Sequence, residues 1–154
     1  MMSTSAPETE GCSPAKMPRS EKAEKPPFRF ANKLSLEDIR QKQNKFASER
    51  EWDQFHSPRN LLLAMVGEVG EVAELFQWKG EVKDGLEDWS EKERTHLGQE
   101  LSDVLIYLVR LAEKCHVDLP SVVVQKIALN EKKYPVELVK GSSKKYTEYA
   151  SKTT

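Results

Sequence analysis

Between residues 33 and 140, this chain of 154 residues shows helical periodicity and no strand alternation of any length. Capping boxes open at Ser35 and Ser90, and Ser57 is an N-cap followed by proline at the first helical position. Each of these signals precedes an apolar stripe with the spacing of a helix. The predicted helices run from Ser35 to about Trp52, from Ser57 to about Trp78, from Ser90 to about Cys115, and from Leu119 to a point before Pro135.

Short connections between most of these segments predict that neighbouring helices run antiparallel. We therefore expect an all-α protein whose core is an antiparallel four-helix bundle. Residues 104–109 of the third segment are apolar on nearly all faces, which is typical of a helix that is buried on all sides. A core of roughly a hundred residues achieves such burial more easily across an interface between subunits.

The two ends of the chain differ in composition from this core. Residues 1–32 are rich in Pro, Ser, Glu and Lys and contain few large apolar residues, and residues 141–154 are rich in Ser, Lys and Thr. Such compositions do not bury enough apolar surface to offset the entropy of ordering. We predict a disordered N-terminal tail over 1–32, a folded domain over 33–140, and a flexible C-terminal tail over 141–154.

Charge, cysteine content and hydropathy limit the function classes. A formal net charge of −1 argues against a nucleic acid polymer as partner. Cys12 and Cys115 lie in unlike surroundings, so we expect neither a disulfide framework nor a thiolate metal cluster. No apolar run has the length of a membrane span, and residues 1–25 lack the apolar stretch of a signal peptide. We expect a cytoplasmic protein without a membrane partner, and a nuclear pool stays open.

Two acidic pairs with the same spacing lie within the most apolar helical stretches. Glu68 and Glu71 are three residues apart, as are Glu100 and Asp103, so each pair shares one helix face. If the two helices pack antiparallel, the four carboxylates converge, and their mutual repulsion favours a bound cation. Ligands that are all oxygens indicate a hard cation, magnesium first and manganese second. The spacing alone also fits a solvated surface stripe, and both interpretations stay open at this point.

Aromatic and polar side chains accompany the acidic pairs. Trp78 lies about two turns beyond Glu71, and Tyr107 lies one turn beyond Asp103. Rings beside a carboxylate–metal site suit a ligand with a flat base and phosphates, although an aromatic stripe is also common in a core. The fourth helix has a polar face that either is solvated or binds phosphate oxygens, formed by Lys126, Asn130 and Lys133.

The two acidic pairs, separated by 28 residues, resemble the ExxE…ExxD signature of the MazG-like all-α nucleoside triphosphate pyrophosphatases. Residues 126–135 resemble the phosphate-binding motif that follows it in that family, and the whole resemblance covers about residues 36–148. It implies a homotetramer, a dimer of dimers, with sites shared between subunits. It also implies hydrolysis of the α–β linkage of deoxynucleoside triphosphates to a monophosphate and pyrophosphate, with dCTP and 5-substituted dCTP preferred, as part of nucleotide-pool sanitation.

The resemblance also implies a role for each matched position. Relatives have a His near the base where this chain has Gln43, which hydrogen-bonds but cannot become cationic, so the base preference stays open. Glu71 is slightly favoured as the general base that takes a proton from the attacking water. Magnesium is expected on Glu68, Glu71, Glu100 and Asp103. The substrate is expected to contact Trp52, His56 and Trp78 at the base, Tyr107 near the sugar and α-phosphate, and Lys126, Asn130 and Lys133 at the phosphates.

Three alternatives compete with this interpretation. A di-iron carboxylate bundle uses two Glu-x-x-His motifs, whereas this chain has one, Glu93 to His96, and we interpret His96 as a surface residue. A helical interaction scaffold would carry no nucleotide chemistry. A broader pyrophosphatase that accepts dUTP keeps the fold and changes only the shape of the base pocket.

Overall fold

The computed structural model describes residues 27–31 and 33–144, so the predictions for residues 1–26, 32 and 145–154 lie outside the described part of the chain. The chain separates into two compact units, Met1–Ala31 and Asn32–Thr154. In the described residues of the first unit, the rings of Phe28 and Phe30 contact each other edge-on, with 5.2 Å between centroids. The helices that follow belong to the second unit.

Local capping signals begin the helices where the sequence predicts them. At Ser35 and Ser90, the serine hydroxyl accepts the backbone N–H of the third helical residue, whose carboxylate accepts the serine N–H in return. The hydroxyl of Ser57 accepts the backbone N–H of Asn60 at 3.3 Å. The helices are α1 over Leu36–Ser48, α2 over Pro58–Gln77, α3 over Glu91–Lys114, α4 over Leu119–Lys133 and the short α5 over Val136–Val139.

The first helix ends earlier than predicted. It stops at Ser48 instead of about Trp52, because Glu51 adopts a left-handed conformation with φ of 55° that no α-helix accommodates. A 3₁₀ helix, Trp52–Gln54, follows this turn. The turn brings the chain back so that the ring of Trp52 lies edge-on to that of Phe46, with 5.8 Å between centroids.

Three helices form the core, with α3 in the centre and α1 and α2 packed against it. Helices α2 and α3 run antiparallel, since Lys79 after the end of α2 contacts Glu93 in the first turn of α3, while Glu68 lies near Asp103 further along. The predicted all-α class is confirmed, and no strand occurs in the described ranges. None of the described helices is both long and apolar enough to cross a lipid bilayer. The buried apolar side chains are Ala47, Leu61, Trp89, Leu97, Val109 and Ala112.

Helix α4 stands apart from these three helices. It makes no extensive packing contact with any other helix in the described part of the chain. Five of its large apolar side chains remain between 39% and 68% exposed, and Leu105 and Leu108 on α3 are also exposed. One chain therefore forms a three-helix core, and the predicted four-helix bundle is not completed within it. The exposed side chains of α4 are Val122, Val123, Val124, Ile127 and Leu129.

Candidate active site

Three carboxylates from the two predicted acidic pairs come together between α2 and α3. One oxygen each of Glu68, Glu100 and Asp103 lies within 4.8 Å of the others. Glu68 and Glu100 are half-buried, whereas Asp103 is exposed. The antiparallel packing of α2 and α3 produces this cluster, because it brings the middle of one helix against the middle of the other. The fourth predicted ligand, Glu71, is exposed on α2 and lies outside the cluster.

The electrostatics of the acidic cluster suit a cation. Burial raises the pKa of Glu68 above its ordinary value, and the negative charges of Asp103, Glu100 and Glu71 raise it further. The pKa of Tyr107 is also raised, first by burial and then by the charges of Glu68 and Asp103. A divalent cation among the three oxygens would remove this repulsion, and a set of carboxylate oxygens matches the ligand preference of magnesium. The residues of the cluster therefore fit the ion that the sequence predicts.

His96 contacts one member of the cluster. Its Nε2 lies 3.0 Å from Oε1 of Glu100, one helical turn away, and its side chain is 55% exposed. The interpretation of His96 as a surface residue is therefore incomplete, because the ring also orients a carboxylate of the candidate metal site. The spacing of four residues between His96 and Glu100 was the signal that would have revealed this contact.

A cavity of about 620 Å³ adjoins the acidic cluster. It lies between α1, the 3₁₀ helix and α3, and Asp103 belongs to both the cluster and the cavity wall. Cavities of this size are typical of enzyme sites for small molecules. Four of the residues predicted to bind substrate line it, namely Gln43, Trp52, His56 and Tyr107.

The cavity wall is largely aromatic on the side of α1. Trp52 lies edge-on to Phe46, and its ring centroid is 6.3 Å from that of His56. Phe46 and Lys42 line the cavity without having been singled out in the sequence. Phe46 follows Gln43 by three residues on the same helix face, which was the available signal. The wall can stack on a planar base, and Lys42 adds a cationic side chain to it.

Gln43 carries an unsatisfied acceptor in this wall. Its Oε1 is buried and has no hydrogen-bond partner among the described residues. A buried polar atom without a partner costs about 1–3 kcal/mol, so such atoms in native structures call for an explanation. Gln43 lines the cavity, but this oxygen is buried away from its surface.

The remaining predicted substrate residues do not reach the cavity within one chain. Trp78 caps the end of α2 and is 88% exposed. The polar residues of α4 are exposed as well, because that helix makes no extensive contact with the helices that form the cavity. One chain therefore assembles the acidic cluster and one wall of the cavity, and it leaves Lys126, Asn130 and Lys133 outside them.

Comparisons with known proteins agree with this geometry. The sequence model of the MazG-like family matches residues 64–149, which include both acidic pairs. The dCTP pyrophosphatase 1 of Mus musculus is 60% identical over 122 residues, which cover 79% of this chain and 72% of the relative. That of Homo sapiens is 58% identical over 121 residues, 79% of this chain and 71% of the relative. The crystal structure of a pyrophosphatase from Archaeoglobus fulgidus aligns with a TM-score of 0.59 at 30% identity, covering 70% of this chain and 99% of that one.

Proposed function

Because this chain belongs to the MazG-like family, we propose that it hydrolyses the α–β linkage of dCTP to the monophosphate and pyrophosphate. The observation that carries this proposal is the acidic cluster of Glu68, Glu100 and Asp103 directly beside an aromatic cavity. A site of this kind binds phosphates at one end and a planar base at the other. The identity of 57–60% to curated dCTP pyrophosphatase 1 proteins supports deoxycytidine as the nucleoside. We extend the proposal to 5-substituted dCTP and to a role in nucleotide-pool sanitation.

The acidic cluster is the proposed magnesium site, and manganese is expected to substitute. When bound, the ion supplies charge neutralisation on the phosphate oxygens and on the departing pyrophosphate. The three clustered carboxylates hold it, while His96 orients Glu100. Like charges at this distance would otherwise destabilise the folded chain.

Glu71 is the proposed general base. It lies one turn from Glu68 on the same helix face, yet its carboxylate is exposed and stands outside the cluster. A carboxylate that is not occupied as a ligand is available to accept a proton from a water molecule as that water attacks the α-phosphorus. Its proximity to the cluster is supported by its effect on the pKa of Glu68.

The cavity is the proposed nucleoside site. Trp52 supplies the ring on which the base stacks. Tyr107 also lines the cavity, and the charges of Glu68 and Asp103 help to raise the pKa of its hydroxyl, which supports a position between the base and the phosphates. His56 and Gln43 are the polar residues that contact the base.

The phosphate-binding residues are proposed to come from another copy of the chain. Lys126, Asn130 and Lys133 lie on α4, whose apolar side chains are exposed. Trp78, equally exposed, is proposed to complete the base pocket of a neighbouring subunit. A homotetramer built as a dimer of dimers would cover α4, complete a four-helix bundle and bring these residues to the acidic cluster. A cytoplasmic location is proposed on sequence grounds alone.

The test of the proposed function is a pyrophosphate-release assay. The eight standard nucleoside triphosphates and 5-methyl-dCTP are supplied with magnesium, with manganese and with a chelator. We expect the highest kcat/KM for dCTP and 5-methyl-dCTP, and no release with the chelator. Glu100→Gln should abolish release, whereas the matched control Glu91→Gln, an exposed acid on the same helix, should not. Absence of release from every triphosphate would overturn the proposal, and equal use of dUTP would favour the broader pyrophosphatase.

A further inference from the structure

Arg110 on α3 is buried completely, although it is a cation. Its guanidinium makes four hydrogen bonds. Nε donates to Nδ1 of His56 at 3.2 Å, and Nη2 donates to Oδ1 of Asp53 at 2.6 Å. Nη1 donates to Oδ1 of Asn44 at 2.9 Å and to Oε2 of Glu113 at 2.5 Å. The guanidinium therefore joins α1, the segment around the 3₁₀ helix and α3 through a single side chain.

The partners of Arg110 are themselves held in place. Asp53 also accepts from Nζ of Lys114 at 2.7 Å, and Glu113 accepts from Nη1 of Arg40 at 2.6 Å. A buried cation is tolerated only when its partners satisfy it in good geometry. Because Asp53 and Glu113 each accept a further hydrogen bond, the guanidinium of Arg110 has one defined orientation. The ring of His56, which it contacts, is held in the same way.

The contact with Arg110 determines the tautomer of His56. A guanidinium donates hydrogen bonds and accepts none, so Nδ1 of His56 must be the acceptor. In a neutral imidazole the proton then resides on Nε2. Burial lowers the pKa of His56, and the positive charges of Arg110 and Lys114 lower it further, against the opposing charge of Asp53. The ring is therefore neutral at pH 7 and carries one N–H, on the nitrogen that Arg110 does not use.

His56 and Gln43 line the same cavity. His56 brings a donor, Nε2–H, since its other nitrogen is occupied. Oε1 of Gln43 is buried, so the structure does not offer this oxygen to a ligand in the cavity. The cavity thus contains the donor of His56 beside the ring of Trp52.

We propose that Arg110 is a positioning residue that fixes His56 as an Nε2–H donor, so that His56 selects a pyrimidine whose N3 accepts a hydrogen bond. N3 of cytosine accepts from Nε2–H of His56. Uracil presents the opposite sense at this position, because its N3 carries a hydrogen. This inference rests on the proposed function for its substrate, and it assigns the choice between cytosine and uracil to a network outside the acidic cluster.

The first experiment uses the unaltered chain. A long-range ¹⁵N–¹H correlation spectrum at pH 7 distinguishes the two neutral tautomers and the imidazolium, and His56→Gln identifies the signals of His56 among the three histidines. We expect the Nε2–H tautomer. A neutral ring protonated at Nδ1, or an imidazolium, would overturn the proposal whether or not any substitution at Arg110 folds.

The second experiment measures the ratio of kcat/KM for dCTP to that for dUTP. His56→Phe keeps an aromatic ring and removes both ring nitrogens, and Arg110→Met removes the donor to His56. We expect each to lower the ratio roughly tenfold, the effect of about one hydrogen bond. The control Gln41→Met, at an exposed position of α1, should leave the ratio unchanged. A ratio unchanged in His56→Phe overturns the selection by His56, and a ratio unchanged in Arg110→Met alone overturns the positioning role of Arg110.

The two proposals fail in different ways. If the unaltered chain releases no pyrophosphate, the proposed function is wrong, while the spectrum still decides the tautomer of His56. If it hydrolyses dCTP and dUTP equally well with His56 protonated at Nε2, the pyrophosphatase stands and the selection by His56 is wrong.

Discussion

The surroundings of Arg110 and the surface of α4 differ in whether a single chain supplies their hydrogen-bond and packing partners. Around Arg110, the hydrogen bonds of a buried cation are completed by residues of α1, the 3₁₀ segment and α3. On α4, five large apolar side chains are exposed to solvent. Exposed apolar side chains concentrated on one helix indicate an interaction surface. The comparison supports the proposal that one chain forms the Arg110–His56 wall of the base pocket, while another copy supplies Trp78 and the phosphate-binding residues.

The largest effect is expected from Glu71→Gln. Loss of a general base lowers kcat by about 10²–10⁴-fold, while the cluster of Glu68, Glu100 and Asp103 still binds the ion. Pyrophosphate release and magnesium binding by titration calorimetry are the two measurements. Asp103→Asn is the comparison variant, and we expect it to lose magnesium affinity as well. Near-full turnover of Glu71→Gln at saturating magnesium would show that Glu71 is not the base.

A smaller loss is expected when α4 is prevented from associating. Ile127→Asp places a charge among the exposed apolar side chains of α4, so we expect smaller oligomers by analytical ultracentrifugation. The accompanying loss of phosphate contacts should lower kcat/KM more than tenfold, since hydrogen bonds to charged groups contribute about 1.5–3 kcal/mol each. Gln125→Asp adds the same charge at an exposed polar position of α4 and serves as the control. If the wild type were monomeric and fully active, α4 would need no other copy of the chain, and its contrast with the surroundings of Arg110 would not hold.

Mixing two impaired variants sharpens the same comparison. If the acidic cluster of one subunit works with α4 of another, a mixture of Glu71→Gln and Lys126→Ala contains some sites with both residues intact. We expect the mixture, after subunit exchange, to release pyrophosphate faster than either variant alone. Failure to exceed the two separate rates, with exchange demonstrated by mass spectrometry, would place both residues of each site in one chain.

The smallest effect concerns acid sensitivity on the Arg110 side. Hydrogen bonding from Lys114, with a smaller contribution from Ser48, lowers the pKa of Asp53 from 3.8 to about 2. Because the pKa is depressed in the folded state, the ionised carboxylate stabilises the fold above about pH 4, and this contribution is lost as the pH falls towards 2. Asp53→Asn should therefore show a smaller decrease in Tm between pH 5 and pH 2.5 than the wild type. An identical decrease in both would show that Asp53 contributes nothing to acid sensitivity.

Local signals were sufficient for the helices and for part of the site. The capping boxes at Ser35 and Ser90 depend on residues three positions apart, so they are visible in the sequence and begin helices where predicted. The convergence of Glu68 with Glu100 and Asp103 followed from helical spacing and antiparallel packing, both of which the structure contains.

Features that depend on distant residues were not predictable in this way. Apart from Glu113, three residues away, Arg110 had no local signal of its burial, because its partners His56 and Asn44 lie 54 and 66 residues away in the chain. The end of α1 depends on a left-handed conformation at Glu51. Glutamate seldom adopts this conformation, so the residue type does not indicate where the helix ends. The position of α4 was not predictable from packing, because α4 makes no extensive contact with another helix in the described part of the chain.

The long reach of Arg110 also has a consequence for the order in which the protein folds. Helices α2 and α3 are neighbours in the chain, so their packing closes a short loop and is expected to be fast. The contacts of Arg110 to Asp53 and Asn44 span 57 and 66 residues, so they wait for α1 to dock. We expect the acidic side of the site to be organised early and the base side late. Newly made chains would then hold metal before they discriminate between nucleotides.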